Sequence, residues 1–161
     1  MAHLSLKNSL LIAGTEFDQS EKVNRLIADP ANHCVVLYPG IHSKNISLAA
    51  STDLVEWFPQ DKKLVIFVID GTWPCAKRMI LRSPNLLALP QICFTPNRQS
   101  EYQFRHQPHE HCLSTIEAVH HMIGILDPSP ECDSLMDLFR KMVRRQVGYS
   151  VTGQVRRSKP C

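Results

Sequence analysis

The segment Ile66-Phe67-Val68-Ile69-Asp70-Gly71-Thr72-Trp73-Pro74 ends the most apolar run of the chain with an acid, a glycine, a hydroxyl and an indole in succession. A carboxylate that follows four apolar residues is expected at the edge of a buried sheet, where partial desolvation makes it a better base. Gly71 permits close approach of the backbone to a ligand, and the first amides of a helix starting near Thr72 favour a carboxylate or a phosphate. Trp73 offers an aromatic face to a cation or a base. Each of these readings has a plain competitor: Asp70 or Thr72 caps the helix, and Trp73 fills the core. A second apolar run, Cys34 to Tyr38, empties into Pro39-Gly40. Open α/β sheets bind their ligands at the carboxyl ends of strands, so the loops Tyr38-Pro39-Gly40 and Asp70 to Trp73 are the first candidate ligand positions.

Metal chemistry has weaker support. His106, His109 and His111 alternate along one segment, but a solvated loop explains them, and no metal is expected. The six cysteines, Cys34, Cys75, Cys93, Cys112, Cys132 and Cys161, contain no Cys-x-x-Cys pair. They read as small buried apolar residues of a reducing compartment rather than as a zinc site or a disulfide framework.

The elements that must position these residues read as alternating strands and helices. Leu10-Leu11-Ile12, ending at Gly14, is expected as a short strand. Asp18 with Glu21 gives a capping signal for a helix to about Asp29, with Val23, Leu26 and Ile27 inward. Cys34 to Tyr38 and Leu64 to Ile69 are continuous apolar runs of the kind found in buried parallel strands. A helix is expected from about Thr72 to Leu81, with Pro74 in its first turn and Ala76, Met79 and Ile80 inward. Gln91 to Thr95 is a further strand, followed from Pro96 to His111 by a long polar loop with an extended piece at Tyr102 to Arg105. Ser114-Thr115-Ile116-Glu117 is a capping box opening a helix to about Leu126. Leu135, Leu138, Phe139, Met142 and Val143 follow the spacing of one buried helix face, opposite Arg140, Lys141, Arg144 and Arg145.

With 161 residues, 43% of them hydrophobic and 20% charged, the chain has the size and composition of one compact domain. No apolar run reaches the ~18 residues of a membrane span, and the start carries no basic segment leading into an apolar one, so the cytoplasm is the expected compartment and no membrane partner is expected. All fifteen acidic residues lie at or before Asp137, against eleven Lys and Arg, and the seven basic residues that follow meet no acid. A basic C-terminal tract of this kind suits a polyanion such as RNA, or simply a solvated helix face.

The run Val68-Ile69-Asp70-Gly71-Thr72-Trp73-Pro74-Cys75-Ala76-Lys77-Arg78-Met79 closely resembles the signature of the DTW-domain family. Leu37-Tyr38-Pro39-Gly40 is similar to the family's strand-end segment. Tyr102-Gln103-Phe104-Arg105 and Leu113-Ser114-Thr115-Ile116-Glu117-Ala118 are similar to its later Tyr-x-x-Arg and Ser-Thr-x-Glu-Ala pair. The three segments agree in order and cover roughly residues 8 to 127. The resemblance implies a tRNA-uridine aminocarboxypropyltransferase related to the SPOUT class: a mostly parallel sheet flanked by helices, with a trefoil knot toward the C terminus. It implies one catalytic domain over 1–147 and a basic tail over 148–161.

The implied reaction moves the 3-amino-3-carboxypropyl group of S-adenosylmethionine to N3 of a tRNA loop uridine and releases methylthioadenosine. Asp70 is then the candidate base, with Thr72 and Trp73 beside it in the catalytic segment. The donor is expected among Tyr38, Pro39, Gly40, Asp70, Gly71, Trp73, Arg105, Ser114, Thr115 and Glu117. Arg105 would grip the donor's carboxylate, with a tRNA phosphate or Glu101 as its other partners. Glu117 is equally explained as the reciprocal half of its capping box. Lys77, Arg78, Tyr102, Arg140, Arg144 and Arg145 are the candidate RNA contacts. Many family members carry paired cysteines near the N terminus that look zinc-binding, and none precede the first strand here. Many SPOUT proteins dimerise, which keeps a homodimer open. The competing functions are a SPOUT-type RNA methyltransferase with the same donor, and a non-catalytic RNA-binding module.

Overall fold

Cys34, Val35 and Val36 are consecutive, and all three are buried, at 8%, 1% and 0% exposure. Successive strand residues point to opposite faces, so this strand is covered on both, as in a parallel sheet. A computed structural model describes residues 2–6, 8–102, 113–127 and 133–151 of the chain. Four strands, β1 (Asn32–Leu37), β2 (Lys44–Asn45), β3 (Lys63–Val68) and β4 (Gln91–Cys93), form one sheet in the order β2-β4-β1-β3. All its pairings are parallel. The seven helices among the described residues are α1 (Ala2–Ser5), α2 (Glu21–Ala28), α3 (Ser51–Trp57), α4 (Trp73–Leu81), α5 (Pro84–Leu87), α6 (Thr115–Leu126) and α7 (Asp133–Val151). None is long and apolar enough to cross a membrane.

The chain divides into two compact units, one of Leu10–Thr95 and one of Met1–Ser9 with Pro96–Cys161. The first contains the whole sheet. Its core is Phe17, Val23, Val36, Ile80 and Leu86, with Ile12, Ile27, Tyr38, Phe67, Ile69, Met79 and Leu89 packed against them. The inward faces expected for α2 and α4 therefore meet on β1 and β3. Fully buried Ser83 accepts the Phe17 amide at 2.9 Å, and Asn85 donates to the Phe17 carbonyl at 2.8 Å, which fixes the approach to α2 against α5. Both backbone groups of Phe17 are thereby satisfied away from any ladder.

The second unit pairs α6 with α7. Val119 and Met122 of α6 and Leu135, Met136 and Phe139 of α7 are buried, and the Tyr102 ring lies 6.1 Å from that of Phe139.

Several expectations need correction. Leu10 to Ile12 forms no strand, because no strand of the sheet offers it a ladder; Leu10 and Leu11 are 57% and 68% exposed and only Ile12 reaches the core. The second helix starts at Glu21 behind Ser20, and the Asp18 carboxylate takes a bond from Gln19 instead of capping. Leu138 is exposed at 37%, and Met136 takes its place on the buried face of α7. That helix also runs to Val151, into the segment expected as a tail, of which residues 152–161 lie outside the described residues. The sequence offered no signal for β2, α3 or α5. The extended piece at Tyr102 to Arg105 falls outside the described residues after Tyr102.

Candidate functional site

Within the sheet unit, Leu37 pairs with Val68, so β1 and β3 end level with one another. The loops that follow, Tyr38-Pro39-Gly40 and Asp70-Gly71-Thr72-Trp73, leave the same edge of neighbouring parallel strands. That is where an open α/β sheet holds a ligand. Their different sequences build two different shapes.

The Tyr38 loop is closed tightly on itself. The Gly40 amide donates to the Tyr38 carbonyl at 2.9 Å, a three-residue turn centred on Pro39, whose ring fixes φ near the value that turn requires. The same amide reaches Ser43 Oγ at 2.6 Å, and the Ser43 hydroxyl donates to the Tyr38 carbonyl at 2.6 Å. A Cβ added at Gly40 would stand 2.0 Å from Gln91 Oε1, so a side chain there would displace the end of the Gln91 side chain. Gly71 differs. Its nearest atom to an added Cβ, Cys75 Cβ, is at an ordinary 3.4 Å, so that position carries no steric demand of the same kind.

In the second loop, Thr72 sits at the N-cap position of α4 with extended backbone (φ −68°, ψ 157°), but its side chain makes no capping bond. Asp70 lies two residues earlier and is exposed, rather than partly desolvated as its apolar approach implied. Trp73 is 43% exposed and so does not fill the core. An acid and an indole at the end of β3, on a helix whose first amides are uncapped by Thr72, can hold a cation and an anion at once. Lys77 and Arg78 are exposed further along the same helix.

The second conserved-looking segment of the sequence lies in the α6–α7 unit. Ser114 is the N-cap of α6, and the capping box with Glu117 is present in both directions. Glu117 does more than cap. Its carboxylate is 1% exposed and accepts bonds from Ser100 Oγ (2.6 Å), the Glu101 amide (2.7 Å), the Ser114 amide (2.8 Å) and Ser114 Oγ (2.7 Å). Four donors satisfy a buried charge and tie the 100–102 segment to the start of α6. Thr115 follows at the first helical position, half-buried.

The expected pairing of Arg105 with Glu101 lies outside the described residues, as do Arg105 itself and His106, His109 and His111. Glu101 is instead gripped by Arg140 through two parallel bonds, Nε to Oε2 at 2.9 Å and Nη2 to Oε1 at 3.0 Å. Arg140 is thus engaged inside its unit, while Lys141, Arg144 and Arg145 are exposed. The Arg140 guanidinium holds the Glu101 carboxyl below its ordinary value of 4.5. A depressed carboxyl stabilises the fold fully above its unfolded value, and this contribution fades as pH falls through the folded one. With side chains 40% and 36% exposed, the pair contributes less than about 1 kcal/mol. Unfolding in urea is expected to separate wild type from Glu101→Gln at pH 7, with a difference that shrinks as pH is lowered below the ordinary value of 4.5 and through the depressed folded one.

Cys34 and Cys93 form no disulfide. Burial pushes the Cys34 and Cys93 thiols up, which keeps them protonated and matches a packing role. Among the described residues no three His, Cys, Asp or Glu side chains cluster as metal ligands. The residues that sequence reasoning missed are Ser43 and Gln91. A serine three positions past a Pro-Gly turn is a weak hint, and nothing local announces a glutamine forty-eight residues further on.

A family profile described as DTW domain matches residues 1–147. A tRNA-uridine aminocarboxypropyltransferase 2 of Drosophila melanogaster is 41% identical over 66 residues, covering 41% of this chain and 26% of its own length. The protein of that name from Mus musculus is 30% identical over 118 residues, 71% of this chain and 36% of its own. The one from Macaca fascicularis is 30% identical over 96 residues, 58% and 29% respectively. The chain thus spans about a third or less of the length of these curated relatives. No solved structure matches it.

Proposed function

This chain belongs to the DTW-domain family, and from that premise we propose that it transfers the 3-amino-3-carboxypropyl group of S-adenosylmethionine to N3 of a loop uridine in tRNA. The observation that carries the reading is the Leu37–Val68 register, which brings the two family-like loops out side by side. The relatives' names speak for tRNA-uridine modification by those proteins, and the family match over residues 1–147 spans the two strand-end loops.

The donor is a sulfonium cation bearing a carboxylate. The Trp73 face suits the first, and the amides at the start of α4 suit the second. Asp70 takes the proton from uridine N3, the freed lone pair bonds to the γ-carbon of the donor, and the sulfur keeps the pair of the broken S–C bond. Methylthioadenosine leaves neutral, and Asp70 returns its proton to water. Tyr38, Pro39, Gly40 and Gly71 shape the donor's seat by backbone alone. For Arg105, Ser114, Thr115 and Glu117 support comes from the resemblance. A loop base can stack on Trp73 without the cost of leaving a duplex.

The RNA contacts we propose are Lys77, Arg78, Tyr102, Arg144 and Arg145, with Arg140 acting through Glu101. Charge reversal of Arg144 and Arg145 together is expected to weaken tRNA binding and to lower the slope of log affinity against log salt by on the order of one to two counterions. Salt titration of binding reads both. The SPOUT-like knotted topology is also part of this reading. It is supported by the insertion of β4 between β1 and β2, strands joined by only residues 38–43. A cytoplasmic location belongs to the same reading, and a homodimer stays open through the resemblance to SPOUT proteins.

Mass spectrometry of nucleosides and small molecules after incubation with unmodified tRNA and S-adenosylmethionine tests the reaction. Aminocarboxypropyluridine with methylthioadenosine is the expected result. A methylated nucleoside with S-adenosylhomocysteine, or donor binding with no product from any tRNA, overturns it.

A further inference from the structure

We propose that Ser43 is a positioning residue for donor binding, a hydroxyl latch that sets the shape of the Tyr38-Pro39-Gly40 loop before any ligand arrives. The proposal rests on the reading of that loop as part of the donor's seat. A hydroxyl has one proton and two acceptor positions. The Ser43 proton goes to the Tyr38 carbonyl at 2.6 Å, and one acceptor position takes the Gly40 amide at 2.6 Å. Gln91 Oε1, at 3.5 Å, stands at the edge of bonding distance.

Besides the hydroxyl, the loop is held by backbone bonds from the Tyr38 amide to the Ile92 carbonyl at 3.0 Å and from the Ser43 amide to the Gly40 carbonyl at 3.1 Å, with little side-chain packing. Ile41 is 98% exposed, His42 and Pro39 are exposed, and of the residues from 38 to 43 only Tyr38 joins the hydrophobic core. The bond across the three-residue turn, Gly40 amide to Tyr38 carbonyl, spans too few atoms to be well aligned. Pro39 fixes one dihedral, and Ser43 ties both ends of the turn to the first residues of the next strand. Without the hydroxyl, the backbone on either side of Pro39 gains freedom that a ligand must then remove. The core, which the latch does not touch, keeps its stability.

The test compares Ser43→Ala and Ser43→Thr with wild type by calorimetric titration with S-adenosylmethionine, steady-state kinetics and thermal melting. Ser43→Ala is expected to weaken donor binding and raise the donor KM about tenfold, with kcat and the KM for tRNA unchanged. Ser43→Thr, which keeps the hydroxyl, is expected to restore wild-type affinity. Donor affinity in Ser43→Ala equal to wild type overturns the latch, as does a loss in Ser43→Thr as large as that in Ser43→Ala. Should Ser43→Ala not fold, Ser43→Cys takes its place with a weaker donor and acceptor of similar size, and unaltered donor affinity there overturns the proposal. A wild-type protein that binds no S-adenosylmethionine would overturn the underlying reading of the loop instead.

Discussion

Asp70→Asn is expected to lower uridine modification by a factor of roughly 10² to 10⁴ while leaving the affinity for S-adenosylmethionine close to wild type. The amide has the size of the carboxylate and cannot accept a proton. Uridine N3 attacks only after losing its own proton, so the loss falls on the chemical step. Asp70 is exposed at the end of β3, so an amide of the same shape fits there without repacking the core. Product formation and donor titration on the same preparation give both halves of the result. Full activity in Asp70→Asn would remove this residue from the role of base.

Glu117→Ala is expected to cost roughly 3 kcal/mol of stability, whatever its effect on donor binding. The carboxylate satisfies the Glu101 and Ser114 amides and the Ser100 and Ser114 hydroxyls, and alanine leaves all four facing a void. In a chain of this length that loss lowers the melting temperature by roughly 6 to 12 °C. Glu117→Gln keeps the volume and one acceptor oxygen, so it should lose less. A melting shift under about 2 °C for Glu117→Ala would show that the network contributes little. Hydrogen exchange at residues 100–102 is expected to rise in the same variant, because the segment is anchored to α6 through that carboxylate.

The contrast between these two acids shows what a single sequence makes legible. Ser114 and Glu117 stand three residues apart before an apolar run, and that local signal was enough for the helix, its N-cap and the reciprocal bonds. The additional donors from Ser100 and Glu101 come from sixteen and seventeen residues away and leave no local trace. The apolar run of β1 was readable because a strand buried on both faces needs no alternation, and β3 carries the same composition although its residues are only half-buried. Leu10-Leu11-Ile12 looks the same in isolation, and only the absence of a neighbouring ladder separates it from a strand. β2 is the opposite case: Lys44–Asn45 has no strand composition and exists because β4 lies beside it. The loops that form the candidate site were located by the residues ending each run. Their geometry was not, because Ser43 and Gln91 act through contacts with Gly40 that no spacing rule encodes.

The place of β4 in the sheet also orders events during synthesis. β1 and β3 pair through six registered positions and can do so as soon as residue 68 has emerged. β2 pairs with β4 alone, so it has no ladder until residue 93 is made. β4 must then enter between two strands already joined by the short connection over residues 38–43. Such late, non-local parallel pairing is slow, because the entropy of loop closure is lost before the contacts form. Until that strand arrives, the nascent chain carries the free edge of β1 in the open, and the ribosome-bound interval before it is when this protein is most exposed to mispairing.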